Sequence, residues 1–368
     1  MPNLIDTTLR EGAQTPGVLF SLMQKIAIGK AVAAVGIEEI EAGTATALDG
    51  ELAELLPALR DMEFPPRLAL WCRCRSEDIL HAGKLRPDVL SLSLPSSERH
   101  IRARLGKNRA WVLTRLKESM RLARDMGITH LSLGVEDASR TEEAFLAELI
   151  ATAAASGVER IRLADTVGVL TPGAAAALVA RQRQLHPAIE FAFHGHNDFG
   201  MATANAVSAL EAGAQWADVS VLGLGERAGC PRLEEVAALL TLVLGTKSYH
   251  LEQLASLSRL VAEASGRAIP ANQPLVGNTV FSCETGLHVH GLLADPATYE
   301  PFPPEILNSS RTILLGAKSG RKAVSGYFSR LGTPVSPDIL PKLTGRIRSL
   351  ATRLGRPLRP EEITDLVN

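Results

Sequence analysis

Residues 189–196 read IEFAFHGH, a short apolar run that ends in two histidines separated by one glycine. The run has strand length, and a longer alanine-containing stretch follows it, so the segment reads as one βα unit. The same unit recurs through the first 245 residues. Strands are expected at Leu4 to Leu9, Glu38 to Ala42, Leu68 to Arg73, Val89 to Leu94, His130 to Glu136, Arg160 to Asp165, Ile189 to His194 and Ala217 to Leu222. Helical segments lie between them, such as Leu22 to Val35 and Ala144 to Ala155, with Gly36 and Gly157 as stop signals. Eight strands in this alternation predict an α/β fold, a (β/α)8 TIM barrel. A doubly wound open sheet is the alternative that a strand count leaves.

At 368 residues the chain exceeds one barrel of about 250, so a smaller region should follow. The alternation stops at Ser248, which divides the chain into a catalytic barrel, 1–247, and a C-terminal linker and lid region, 248–368, mainly helical. Within the latter, Leu251 to Ala264 reads as a helix, and Pro337 to Leu354 as another with Ser336 as N-cap and Pro337 at N1. Lys plus Arg (39) nearly balances Asp plus Glu (40), which removes the basic face that nucleic acid requires. No leader-like segment and no long apolar run occurs, so a cytoplasmic protein with no membrane partner is expected. Cys72, Cys74, Cys230 and Cys283 lack zinc-finger or disulfide-scaffold spacing and read as free thiols.

In a (β/α)8 barrel the chemistry sits at the C-terminal ends of the strands, and here those ends are polar. Arg10-Glu11, Glu41, Arg73, Glu136-Asp137, Asp165-Thr166 and His194-Gly195-His196 all fall there. On an extended chain, residues i and i+2 point the same way, so His194 and His196 share a side and Gly195 leaves the face between them bare. The bland alternative is a pair of satisfied surface histidines. With Glu11 from another strand end they make a two-His, one-carboxylate set suited to a divalent ion such as Mg, Mn, Fe, Co or Zn. The glycine run Gly223, Gly225 and Gly229 follows the eighth strand, where backbone N–H groups often meet phosphate; a CoA phosphate would suit it. A tight connection is the simpler reading of the same glycines.

DTTLREGAQTPG (6–17), FHGHNDFGMATAN (193–205), GLGERAG (223–229) and ETGLHVHGLL (284–293) together resemble the isopropylmalate and homocitrate synthase family, whose barrel is of the pyruvate carboxyltransferase type. LWCRCR (70–75), VEDASR (135–140), LADTVGVL (163–170) and PLVGNTVF (274–281) are similar to the homocitrate synthases associated with nitrogenase cofactor assembly and nitrogen fixation. The resemblance implies an acyltransferase that condenses acetyl-CoA with 2-oxoglutarate, giving (R)-homocitrate and CoA, in a homodimer. It implies that Glu11, His194 and His196 hold the metal and that Arg10 stabilises the enolate and substrate oxyanion. Gln14, Glu41, Arg73, Glu136 and Thr166 match positions lining the oxo-acid pocket, His288 a catalytic histidine, and Tyr299 a tyrosine near the acetyl group. His288 would be supplied by the partner subunit.

Three positions depart from the family pattern: Ala13 stands where an acidic residue is usual, Cys230 where Asn often follows GERAG, and Ala317-Lys318 where Lys-His is usual. Cys230 is expected to remove one metal contact, and Ala317-Lys318 to alter rate or substrate choice. Roughly seventy residues follow Tyr299, too few for the long regulatory domain of leucine-pathway synthases and below the size of a comfortable single core.

The mechanism implied is a Claisen condensation, with the base drawn from His288 and a carboxylate such as Glu136. Arg73 and Arg75 favour an acceptor with a distal carboxylate. Isopropylmalate-, citramalate- or citrate-type synthases using another 2-oxo acid, an aldolase or lyase on the same barrel, and a non-catalytic barrel are the competing readings.

Overall fold

A computed structural model describes residues 1–46 and 50–367. Strands β1 (Asn3–Asp6), β2 (Glu39–Thr44), β3 (Arg67–Arg73), β4 (Val89–Pro95), β5 (Leu131–Glu136), β6 (Arg160–Asp165), β7 (Glu190–Gly195) and β8 (Trp216–Val219) form a closed parallel barrel. Closure is direct: Asn3 to Asp6 pair in register with Trp216 to Val219, which rules out the open sheet. Helices α1 (Leu22–Val35), α2 (Leu52–Arg60) and α3 (Ser76–Leu85) follow the first three strands, and both α4 (Glu98–Leu105) and α5 (Arg109–Asp125) follow β4. The remaining crossovers use α6 (Glu143–Ala155), α7 (Pro172–Leu185), α8 (Ala202–Glu211) and α9 (Leu233–Leu242), after which comes α10 (Leu254–Ser265).

Local chemistry sets these boundaries. Ser21 and Gln24 form a reciprocal capping box at the start of α1, and Gly36 ends it with φ of 93°. Thr171 accepts from the Ala174 N–H ahead of Pro172 at the start of α7. Along the strands one parity is apolar and packs under the helices, as with Leu68, Leu70 and Cys72 on β3, all fully buried. The other parity faces the barrel interior and is ionic. Glu39 on β2 pairs with Arg160 across the barrel on β6 at 2.5 Å, and one layer higher Glu41 pairs with Arg162 at 2.8 Å. A register shift between Glu41 and Gly43 marks a bulge on β2 at that upper layer.

The chain divides into two compact units, 1–269 and 270–368, later than the 247/248 boundary expected from sequence. The reason is α10: its buried face, Leu254, Leu257 and Val261, belongs with the barrel, and α10 packs on α1. The second unit contains α11 (Gly286–Ala294), α12 (Arg321–Arg330), α13 (Leu340–Leu354), α14 (Pro360–Val367) and a two-stranded parallel pair, β9 (Ser282–Cys283) with β10 (Thr312–Ile313). It has a core of its own in Leu315, Val324, Phe328, Leu343, Ile347, Ala351, Leu358 and Ile363. Helix α13 starts three residues later than Pro337. Ser336 does not cap with its side chain; its carbonyl accepts from the Ile339 and Leu340 N–H groups and closes a turn first.

Candidate active site

The C-terminal mouth of the barrel holds a cavity of about 250 Å³. Arg10, Glu11, Gln14, Glu136, Thr166, His194 and His196 all line it, so seven of the residues expected from sequence converge on one space. His194 and His196 leave the end of β7 on the same side, with Nε2 atoms 3.4 Å apart and rings nearly perpendicular at 83°. His194 Nδ1 lies 2.8 Å from Asp218 Oδ2, a contact that fixes the ring and aims Nε2 at its neighbour. Burial, then the adjacent His194, pulls the His196 imidazole down to about 4, so it is neutral at pH 7 with a lone pair to offer.

Arg10 is buried among carboxylates. Its Nε donates to Glu41 at 2.6 Å and Nη1 to Glu11, while the guanidinium lies 5.7 Å from the Trp71 ring centre. Burial alone would weaken its charge, but Glu41, Glu11 and Asp218 outweigh it and raise its pKa. The reciprocal holds for Glu11: burial alone would raise its pKa, but Arg10, the two histidines and the Glu226 N–H hold it below the ordinary value. An ionic chain runs from Arg10 through Glu41, Arg162 and Asp218 to His194. It couples the cationic and imidazole sides of the cavity through rigid strands.

These residues fit a divalent cation. Two buried imidazole nitrogens facing at 3.4 Å repel through their lone pairs unless a proton or a cation lies between them. Glu11 Oε1 is buried without a hydrogen-bond partner, 3.9 Å from His196 Nε2. Ligand atoms about 2.1 Å from one ion sit roughly 3 to 3.5 Å apart, close to this spacing. The donors fall into two overlapping sets that share His196: His194, His196 and Cys230, and Glu11, His196 and Glu226.

Several expected residues have other places. Arg73 is not part of the cavity lining, its fork closed on Asp78 at 2.7 and 3.0 Å, because α3 begins two residues after β3 and brings that carboxylate within reach. Arg75 is the residue preceding α3 and is not part of the barrel-mouth lining. Glu41 is fully buried beneath the lining and positions Arg10 and Arg162. The glycine run does not present a row of free N–H groups: Gly223 donates to Ser220 and Gly229 to Glu226, both at 3.0 Å. His288 and Tyr299 belong to the second unit, where their rings stack at 4.3 Å, both exposed. Gly291 makes that possible, since a Cβ there would lie 2.5 Å from the Tyr299 ring.

Sequence reading missed Arg104, Arg162, Asp218 and Ser93. Arg104, on α4, reaches the cavity and donates to Glu136, whose other oxygen accepts from Ser93 at 2.7 Å. Asp218 gives one weak signal, the single charge in the apolar strand β8, and Arg162 another, a charge that alternates with Ile161 and Leu163 along β6.

Comparison with known proteins agrees with this geometry. Residues 1–261 match the HMGL-like family, and residues 275–354 match the homocitrate synthase post-HMGL domain-like family. The homocitrate synthase of Frankia alni is 40% identical over 89% of this chain and 93% of its own. The 2-phosphonomethylmalate synthase of Streptomyces rubellomurinus is 37% identical over 99% and 97%, and 2-isopropylmalate synthase 2 of Caldanaerobacter subterraneus is 37% identical over 98% and 93%. Among solved structures, hydroxymethylglutaryl-CoA lyase from Pseudomonas aeruginosa matches with a TM-score of 0.65 at 20% identity, covering 73% of this chain and 94% of that one. At that identity the likeness concerns the fold alone. No helix of the described residues is long and apolar enough to cross a membrane. The family's enzymes depend on a divalent metal, in keeping with the donor sets at the barrel mouth. With strands, polar mouth and matched length together, the chain belongs to the HMGL-like family of acyl-CoA-utilising synthases.

Proposed function

We propose that this enzyme is a homocitrate synthase, condensing acetyl-CoA with 2-oxoglutarate. The observation that carries the choice of acceptor is the lining of the cavity. Beyond Trp71, Gly134 and Ala164 it is polar, with Gln14, Ser93, Glu136 and Thr166, and three guanidinium groups, Arg10, Arg104 and Arg162, reach it. A branched aliphatic acceptor would find no apolar cup there, whereas a second carboxylate would meet the half-exposed Arg104 guanidinium by displacing its partner Glu136. Arg104, half exposed at the rim, takes the role that sequence assigned to Arg73. A homocitrate synthase at 40% identity stands among the relatives, beside 2-phosphonomethylmalate and 2-isopropylmalate synthases at 37%.

Glu11, His194 and His196 would hold the divalent ion, which when bound supplies Lewis-acid polarisation of the 2-oxo group. The chain's own groups divide the rest. Arg10, held rigid by Glu41 and Glu11, faces developing negative charge on the thioester oxygen as the enolate forms. Thr166 Oγ1 accepts from the Asp137 N–H at 2.8 Å, which leaves its own proton to donate to an acceptor carboxylate. A base drawn from His288 and Glu136 takes the methyl proton, and Tyr299 lies against the acetyl group, with His288 and Tyr299 contributed by a partner subunit of a homodimer. Water then cleaves the thioester of the condensed product, and CoA leaves as the thiol.

The test is thiol release from acetyl-CoA with 2-oxoglutarate, 2-oxoisovalerate, pyruvate and oxaloacetate in the presence of added divalent metals. The expected result is a kcat/KM highest for 2-oxoglutarate. A higher value for the branched acid would overturn the acceptor, and CoA-independent cleavage without thiol release would overturn the synthase.

A further inference from the structure

We propose that Cys230 is itself a metal ligand, so that the centre is a sulfur-containing one built on His194, His196 and Cys230 with Glu11 alongside. The inference rests on the metal-dependent reading above. From sequence alone Cys230 subtracts a contact; the geometry makes it supply one. Its Sγ and one nitrogen of each histidine all lie within 4.8 Å of one another, and the three residues are 1%, 6% and 4% exposed. Bonds of about 2.3 Å to sulfur and about 2.0 Å to imidazole nitrogen set S···N separations of roughly 3.5 Å in a tetrahedral site, which small side-chain rotations reach from here.

The loop after β8 is shaped around that sulfur. Gly225 has no side chain where a Cβ would stand 2.8 Å from Cys230 Sγ. Cys230 N donates to Gly223 O at 3.0 Å and Asn197 N donates to Gly229 O at 2.9 Å, which ties the cysteine's backbone to the β7 segment carrying the histidines. A second, independent observation points to a cation beside His196, the donor that both sets share. Glu11 Oε1 is buried with no hydrogen-bond partner and lies 3.9 Å from His196 Nε2. A thiol that only filled space would leave that oxygen unanswered.

Coordination replaces the S–H bond by a sulfur–metal bond and releases the proton to solvent. One thiolate with two imidazoles favours Zn(II), Co(II) or Fe(II) over the harder Mg(II) and Mn(II). The experiment uses the full chain, stripped of metal and titrated with Co(II). Visible d–d bands together with a near-ultraviolet sulfur-to-cobalt charge-transfer band are expected. The charge-transfer band should vanish in Cys230→Ala and in the nearly isosteric Cys230→Ser, while Cys283→Ala keeps it. Zn(II) affinity should fall at least roughly tenfold in Cys230→Ser while Mn(II) affinity changes by less than about threefold. Cobalt held with d–d bands but no charge-transfer band, or a band that survives both Cys230 variants, overturns the proposal and leaves the metal-dependent reading standing. A folded chain that retains no Co(II) overturns both.

Discussion

Two histidines two residues apart on a strand were readable because the period of a strand is two, and the structure brings both into one buried site. What holds them there was not readable. Asp218 fixes His194 from the next strand, and Arg162 reaches Glu41 across 121 positions of sequence, contacts that only barrel closure creates. Arg73 shows the converse: it stands at the expected strand end, yet Asp78, five residues on, takes its guanidinium. Two expectations follow for single residues. Asp218→Asn should weaken metal binding roughly 10- to 100-fold with little change in fold, measured by competition with a chelator. Arg104→Ala should raise KM for 2-oxoglutarate roughly tenfold or more, with a smaller change in kcat, because the charge it offers is used in binding the acceptor. An unchanged KM would remove Arg104 from the acceptor site.

Among the elements, those with periodic patterns and end signals were legible: α1 and β6 span the residues expected. Starts decided by backbone rather than by a capping side chain were not, as at α13. The β8–α9 loop is the least predictable segment, because its shape comes from close backbone approach. Gly229 has φ of +92°, and a Cβ there would sit 1.9 Å from Gly223 O, so Gly229→Ala should destabilise the chain by several kcal/mol in a denaturant melt. Gly225→Ala should act mainly on Cys230 and lower Zn(II) affinity. At the start of α9, Glu234 accepts from Leu222 N at 3.1 Å, and burial pushes its carboxyl up to about 7. Between an unfolded value near 4.5 and 7 the folded state keeps a proton that the unfolded state releases, so this carboxyl lowers stability as pH rises through that window. Glu234→Gln should therefore gain in Tm relative to the parent at pH 8 and lose that gain at pH 5; a pH-independent difference would contradict the burial argument.

For the whole molecule, the barrel followed from counting strands, whereas the limits of its two units did not, since α10 gives no sequence sign that it serves the first. If His288 of one subunit serves the neighbour's barrel, Glu11→Gln and His288→Ala should each be nearly inactive, and mixed dimers should regain activity, because one site then inherits neither defect. Verified heterodimers without recovery would place His288 in its own chain's site or out of the chemistry. The lower ionic layer carries a different kind of consequence. Glu39 and Arg160 are both fully buried and do not line the cavity. Removing Glu39 strands the buried Arg160 guanidinium and should destabilise by about 3 to 5 kcal/mol, and removing Arg160 should cost less because Arg67 stays 3.8 Å from Glu39, while exchanging both for aliphatic residues should be close to neutral. A lineage can thus leave this pair only through a fitness valley or by two simultaneous changes. Positions 39 and 160 should then vary together or not at all among descendants of this barrel, even though neither meets the substrate.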